Sequence, residues 1–325
     1  MAAGTGANFK IYDEQFFGGM IEQIEQNADA FNASSNNTIV LQPQRLIGNF
    51  EKESFVTTIA NLVTRRDVAS VSAAADLLAS QSEKAGVKVN RKIGPVAQTL
   101  DAFKKIGMTV DNQTLSFMLG EQVGKAIAVD YINAAISAAR AALNAQAAVV
   151  YDYSGTGTIT HTALSKGMAK FGDKAGALAC WVMHSKPYFD LIGQSLADKI
   201  FEVAGAVIYS GSVPTFGRPV VVIDAPALLT SGTPDKYDSL CLVPGAVEVK
   251  ESEDRNIENQ IITGLENLIV RMQGEYAFNL GVKGFTWDVT NGGANPTDVA
   301  LATGSNWDKV ATDNKSLAGV LVKTQ

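Results

Sequence analysis

Residues 115–148 read LSFMLGEQVGKAIAVDYINAAISAARAALNAQAA, and this run decides the fold. Leu119, Val123, Ile127, Tyr131, Ala134 and Ala138 recur at intervals of three and four, which puts them on one face of a helix. Asp111 or Thr114 is suited to cap its start. At about 1.5 Å per residue the helix is roughly 50 Å long, more than the diameter of a small domain. The small residues Ala134, Ala135, Ala138, Ala139, Ala141 and Ala142 would allow a sheet to approach closely. A strut of this length suits an elongated subunit that touches many neighbours. Glu121, Lys125, Asp130 and Arg140 interrupt it with too many charges for a bilayer span, so no membrane partner is expected.

Upstream, Val87, Val89 and Ile93 alternate with Lys88, Asn90 and Lys92, the period-2 signature of a half-exposed strand, and Pro95 suits its end or edge. Ile39–Leu41 and Phe55–Ile59 are also strand-like, whereas Ser70–Ser82 has helical composition. Together these predict a projecting β-hairpin with an elaborated tip. Residues 1–37 read as a polar arm with a short amphipathic piece, Glu14–Ile24, that gains order by lying on something else. Downstream the pattern is mixed. Short helices are expected over His161–Phe171 and Pro187–Ala197. Strands are expected at Ala177–Met183, Val220–Ile223, Leu240–Val249, Tyr276–Val289 and Val320–Val322.

Composition narrows the function. Of 325 residues, 46% are hydrophobic and 18% charged, against about 25% charged in ordinary soluble domains. The low charge fraction suggests surface covered by partners. A net charge of −6 argues against a dedicated nucleic-acid binder. Cys180 and Cys241 stand in apolar surroundings, are read as buried thiols and provide no disulfide framework. The start has neither a basic region nor an apolar core, so no signal peptide is expected.

Catalytic signatures are sparse. Two histidines, His161 and His184, cannot build a multi-histidine zinc site. Cys180 with His184 is a dyad only if the thiol is exposed and activated. Ser185 lacks the Gly-x-Ser-x-Gly elbow and is read as the N-cap of the helix at Pro187. Gly155-x-Gly157 lacks a third glycine for a dinucleotide turn. Asp235, Asp238, Glu248, Glu251, Glu253 and Asp254 are read as a solvated loop rather than a calcium-like site. No catalytic residue, cofactor or metal is assigned. The basic residues Arg65, Arg66, Lys88, Arg91 and Lys92 concentrate in the extended region. They are candidates for inter-subunit contact through charge complementarity, the alternative being a solvated hairpin.

Element order then brings a resemblance. Residues 62–68 (LVTRRDV) and 87–95 (VKVNRKIGP) look like extended-loop strands of tailed-bacteriophage major capsid proteins of the Hong Kong 97-like fold. Residues 181–185 (WVMHS) with Tyr188 and Leu191 are similar to that family's strand-then-helix element, and residues 217–224 (GRPVVVID) to the strand after it.

The resemblance implies an α+β capsid fold with an N-terminal arm at 1–37 and an extended hairpin loop at 38–100. It implies a peripheral domain with the spine helix at 101–149, a mainly axial mixed α/β domain at 150–290 and a C-terminal return to the peripheral domain at 291–325. It further implies a virion subunit that self-assembles, in the host bacterial cytoplasm, into pentamers and hexamers of an icosahedral shell around double-stranded DNA. The DNA would be held without sequence specificity. A separate scaffold, a portal and a decoration protein are the implied partners. An encapsulin-like nanocompartment shell is the nearest alternative. A cytoplasmic α/β hydrolase-like enzyme using Cys180, His184 or Ser185 is a remote one.

Overall fold

The computed structural model describes residues 6–43, 48–56, 62–72, 76–78, 81–99, 112–198, 202–203, 206–207 and 216–325. Helix α1 (Gly6–Ser34) leads through a turn into strands β1 (Ile39–Pro43), β2 (Phe50–Val56) and β3 (Gln81–Thr99), and then into helix α2 (Asn112–Asn144). The second half carries β4 (Val150–Asp152), helix α3 (His161–Ala169), β5 (Cys180–Met183), helix α4 (Ser185–Asp198), β6 (Glu202–Val203), β7 (Ala206–Val207), β8 (Val220–Val222) and β9 (Leu229–Thr230). It continues with β10 (Lys236–Leu242), β11 (Val247–Ile262), β12 (Ile269–Val282), β13 (Phe285–Trp287), helix α5 (Asp298–Leu301), β14 (Trp307–Lys309) and β15 (Gly319–Thr324).

Two sheets form the body. The first has the order β1-β11-β12-β3-β2. One cross-sheet row, Leu41–Val249–Leu280–Val87–Phe50, packs its apolar side chains into the core. The adjacent positions Glu51–Gly86 and Glu248–Gly281 point to the opposite face, as the two-residue period of a strand requires. From that row β3 runs both ways. Gln81–Gly86 pair only with β2, whereas Lys88–Thr99 pair with β12. The β2–β3 hairpin therefore projects from one end of the sheet and the β11–β12 hairpin from the other.

The second sheet has the order β4-β15-β10-β5-β8, with β9 pairing β10. Its inner strands β5, β10 and β15 are almost wholly buried. The closing strand β15 lies between β4 and β10, so Gly319–Thr324 do not rejoin the sheet that carries the hairpins. The stretch before it does approach the long helix: Gly304 sits where an added Cβ would lie 2.9 Å from the Ala141 carbonyl oxygen.

Helix α2 joins the two sheets. Near its middle Tyr131 meets Tyr276 and Phe278 of β12 edge-on, at 5.8 and 5.0 Å between ring centroids. Further on, Arg140 Nε donates to Asp238 Oδ2 of β10 at 2.6 Å. Between and beyond these points Ala134, Ala135, Ala138, Ala139, Ala141 and Ala142 are all buried, because only small side chains fit a helix enclosed on several sides. Residues 120–144 are apolar and long enough to cross a membrane by composition, but most of that stretch is buried inside the fold. Trp287 and Trp307 meet edge-on at 4.9 Å, and their indole N–H groups donate to the carbonyls of Gly293 and Leu301.

The arm is a 29-residue helix, longer than the piece expected at Glu14–Ile24. It lies along α2 with Phe16, Met20 and Ile24 buried. The backbones come close at two α2 glycines: a Cβ on Gly120 would sit 2.2 Å from the Phe16 carbonyl oxygen, and one on Gly124 2.8 Å from that of Met20. Gly120→Val is therefore expected to lift α1 off α2 while both sheets persist. Limited proteolysis would report it as new cleavage within Gly6–Ser34 and an unchanged remainder.

Three other expectations are revised. Leu240–Val249 is not one strand: the chain turns at Pro244–Gly245, where Gly245 takes φ +66°, and passes from the second sheet to the first. Val220–Val222 forms an edge strand with Val222 exposed rather than a buried one. Pro95 takes the edge position expected of it: it lies inside β3 where β2 no longer pairs, at the point where the pairing with β12 shifts register between Met272 and Gly274. The described residues of the Ala-rich insert are irregular and exposed, and Ser82 already belongs to β3.

Candidate assembly surface

The described part of the β2–β3 hairpin tip packs against none of the described core. Its described residues, 62–72 and 76–78, are irregular and exposed. Val63, Val68, Leu78 and Val71 are more than 80% exposed, and Leu62 is 68% exposed. Local turns shape the segment: Ala69 N donates to Asp67 Oδ1 and Ser72 N to Ser70 Oγ. Arg65 and Arg66 stand among these apolar side chains, both exposed. Large apolar side chains exposed in one short segment make it a candidate for a surface that a partner covers. The opposite hairpin repeats the pattern more weakly, with Leu265 and Leu268 exposed at its tip.

The other three basic candidates lie nearer the body. Lys88 is buried, and its Nζ pairs with Glu253 of β11. Arg91 Nε donates to Asp130 Oδ2 of α2 at 3.0 Å, and its Nη2 to Asp298 Oδ1 of α5 at 2.5 Å. Burial opposes the Arg91 charge, but the Asp298 and Asp130 carboxylates outweigh it and hold its pKa above the ordinary value. Lys92 is exposed and lies opposite Glu275 across the ladder. Thus Arg65, Arg66 and Lys92 face outward, whereas Lys88 and Arg91 hold charges of their own chain.

The polar face of the first sheet carries a further knot. Lys250 Nζ donates to Glu51 Oε1 at 2.8 Å, and the Asn279 side-chain amide donates to the other Glu51 oxygen. Burial disfavours the Lys250 charge, but Glu51 and Glu248 more than compensate, and its pKa is raised. These contacts join β2, β11 and β12 where the projecting hairpins meet the body.

No catalytic arrangement is assembled from the sequence candidates. Burial pushes the Cys180 thiol up to about 11, and raises Cys241 further, so neither presents a thiolate at neutral pH. His184 Nδ1 lies 3.4 Å from both Ser185 Oγ and Asp224 Oδ1. A relay needs acid and nucleophile on opposite ring nitrogens, and here they share one. The arrangement starts α4 instead: Lys186 N donates to His184 Nδ1 at 3.2 Å and Ser185 N to Asp224 Oδ1 at 3.0 Å. The expected Ser185 cap is thus supplied by His184 and Asp224. The acidic stretch is dispersed as well, since Asp238 is buried against Arg140 while Asp235 accepts from Gly232 N in a turn. Among the described residues no group of three or more His, Cys, Asp or Glu side chains converges on a metal-sized site.

A family model described as Gp13-like, major capsid protein 13-like, matches residues 8–321. Among solved structures, a chain from Microbacterium phage Oxtober96 is similar with a TM-score of 0.51 at 12% identity, covering 77% of this chain and 84% of that one. A chain from Mycobacterium phage Adephagia gives 0.51 at 11% identity, over 88% and 87% of the two chains. One from Mycobacterium phage Cain gives 0.50 at 12%, over 84% and 89%. At such identities the likeness is one of fold. No curated protein matches the chain.

Proposed function

The chain belongs to the Gp13-like major capsid protein family, and on that premise we propose that it self-assembles into pentamers and hexamers of an icosahedral shell enclosing double-stranded DNA. Its role is structural and its place is the virion capsid. The observation that carries the finer reading is the pair of hairpins projecting from opposite ends of one sheet, one ending in a tip whose described apolar residues are exposed. A subunit of this shape overlaps several neighbours at once, and a closed shell repeats each contact many times.

In this reading residues 1–37 are the arm and 38–100 the extended loop. Residues 101–149 form the peripheral domain with α2. The second sheet belongs to the axial domain, and part of 291–325 returns to the peripheral side. Arg65, Arg66 and Lys92 make inter-subunit contacts, while Lys88 and Arg91 orient the loop that carries them. A separate scaffold, a portal and a decoration protein complete the particle, which assembles in the bacterial host cytoplasm. The nanocompartment and hydrolase alternatives gain no support from the family match or from the site geometry.

Size-exclusion chromatography followed by negative-stain electron microscopy tests the proposal, on protein expressed alone and together with a candidate scaffold protein. Closed shells, or rings of five and six subunits, are expected. A uniform monomer in both preparations would overturn it.

A further inference from the structure

The projecting ribbon of β3, β11 and β12 continues the body sheet, but its ladders shift register on both flanks of β12. On one flank of β12 the pairing with β11 slips twice, between Glu251 and Glu253 and again between Glu253 and Asn256. On the other flank the pairing with β3 slips between Met272 and Gly274, beside Gly94, whose φ of +71° suits glycine. Bulges bend a strand and break its ladder, and here they flank one short length of the same strand. Among the described residues, buried Ser252 Oγ and Arg255 Nε in the bulged segment have no hydrogen-bond partner, while Arg255 Nη2 donates to Glu251 Oε2 at 2.6 Å.

On the body side of the β3 bulge, opposite Tyr276, stands Arg91. Its guanidinium joins β3 to Asp130 of α2 and to Asp298 of α5, and lies 5.9 Å from the centre of the Phe278 ring. Tyr276 Oη donates to the same Asp130 oxygen at 2.7 Å. Asn90 N donates to Asn295 Oδ1 at 3.1 Å, so the outer edge of β3 is held at the same level. Beyond it, Lys92–Thr99 pair with β12 and with no other strand among the described residues.

We propose that residues 252–255 and 93–96 form a hinge and that Arg91 is the positioning residue that fixes its angle. The distal ribbon turns about the bulges. The body, held by the apolar row and the Glu51–Lys250–Asn279 knot, does not. The forked contact of one guanidinium with carboxylates on two elements gives the angle a single value. On the shell reading above, that angle sets how steeply neighbouring subunits meet. The hinge itself does not depend on that reading.

Hydrogen exchange on the full chain separates hinge control from general stability. Arg91→Gln is expected to speed exchange of amides in 92–99 and 269–275 by about tenfold, the scale of one lost charge-assisted hydrogen bond. Amides in 319–324 should be unchanged. Arg91→Lys keeps the charge without the fork and should give an intermediate effect. If Arg91→Gln does not fold, Asp298→Asn serves instead, because that carboxylate is largely exposed and its loss opens only one limb. A selective loss of protection in the ribbon supports the hinge. Unchanged exchange there, or a uniform loss across both sheets, overturns it, whether or not the variant forms shells.

Discussion

Asp238→Ala is expected to destabilise the subunit by about 3 kcal/mol, near the lower end of the range for breaking a buried ion pair. The Asp238 side chain is 6% exposed and that of Arg140 23%, so removal of the carboxylate strands a mostly buried guanidinium. The contact joins the long helix to a central strand of the second sheet, and no neighbouring carboxylate takes over among the described residues. The low end applies because Arg140 keeps some access to water. Replacing both partners by apolar residues, Asp238→Leu with Arg140→Met, should recover most of the loss, since the penalty comes from the unpaired charge and not from the missing pair. Urea unfolding of the three proteins checks this. Equal destabilisation in the single and double variants would show that geometry, not desolvation, governs the site. An exposed pair such as Lys315–Asp173 should contribute little by the same logic.

The long helix was legible because both its signals are local. The apolar residues repeat at helical spacing, and Ala runs have high propensity. The projecting strand β3 was legible for the same reason: Val87, Val89 and Ile93 alternate. The helical arm was only partly readable. Gly18 and Gly19 weaken its local propensity, and the feature that stabilises it, close approach at Gly120 and Gly124, lies a hundred positions away. The break of Leu240–Val249 into two strands could have been read from Pro244–Gly245, a turn signal inside an otherwise apolar run. The charges divide in the same way. Exposure of Lys92 follows from the alternation of β3, and that of Arg65 and Arg66 from their place in an irregular tip. The capture of Lys88 and Arg91 does not, because Glu253 is 165 positions from Lys88, and Asp130 and Asp298 are 39 and 207 from Arg91. Spacing along a chain says nothing about such pairs until a fold closes them.

The outward charges carry the second large prediction. Arg65→Glu with Arg66→Glu is expected to leave the subunit folded and to prevent shell formation. Neither arginine forms an ion pair among the described residues, and both lie in an irregular segment that supports no core, so thermal unfolding should scarcely move. Assembly is different, because at a subunit contact the same side chains are desolvated against a neighbour. The chain as a whole is acidic, with a net charge of −6, so a basic tip meets a favourable surface and an acidic one meets repulsion. A penalty of about 2–3 kcal/mol per subunit raises the concentration needed for assembly roughly 30- to 150-fold. Since every copy carries the change, the loss is felt at each repeat of the contact. Arg65→Gln with Arg66→Gln removes attraction without adding repulsion and should slow assembly without abolishing it. The readouts are a circular-dichroism melt for the subunit and electron microscopy for the particle. Normal shells from the glutamate variant would mean that these arginines are merely solvated. The exposed Val63, Val68 and Val71 would then be the part of the tip that neighbours bury.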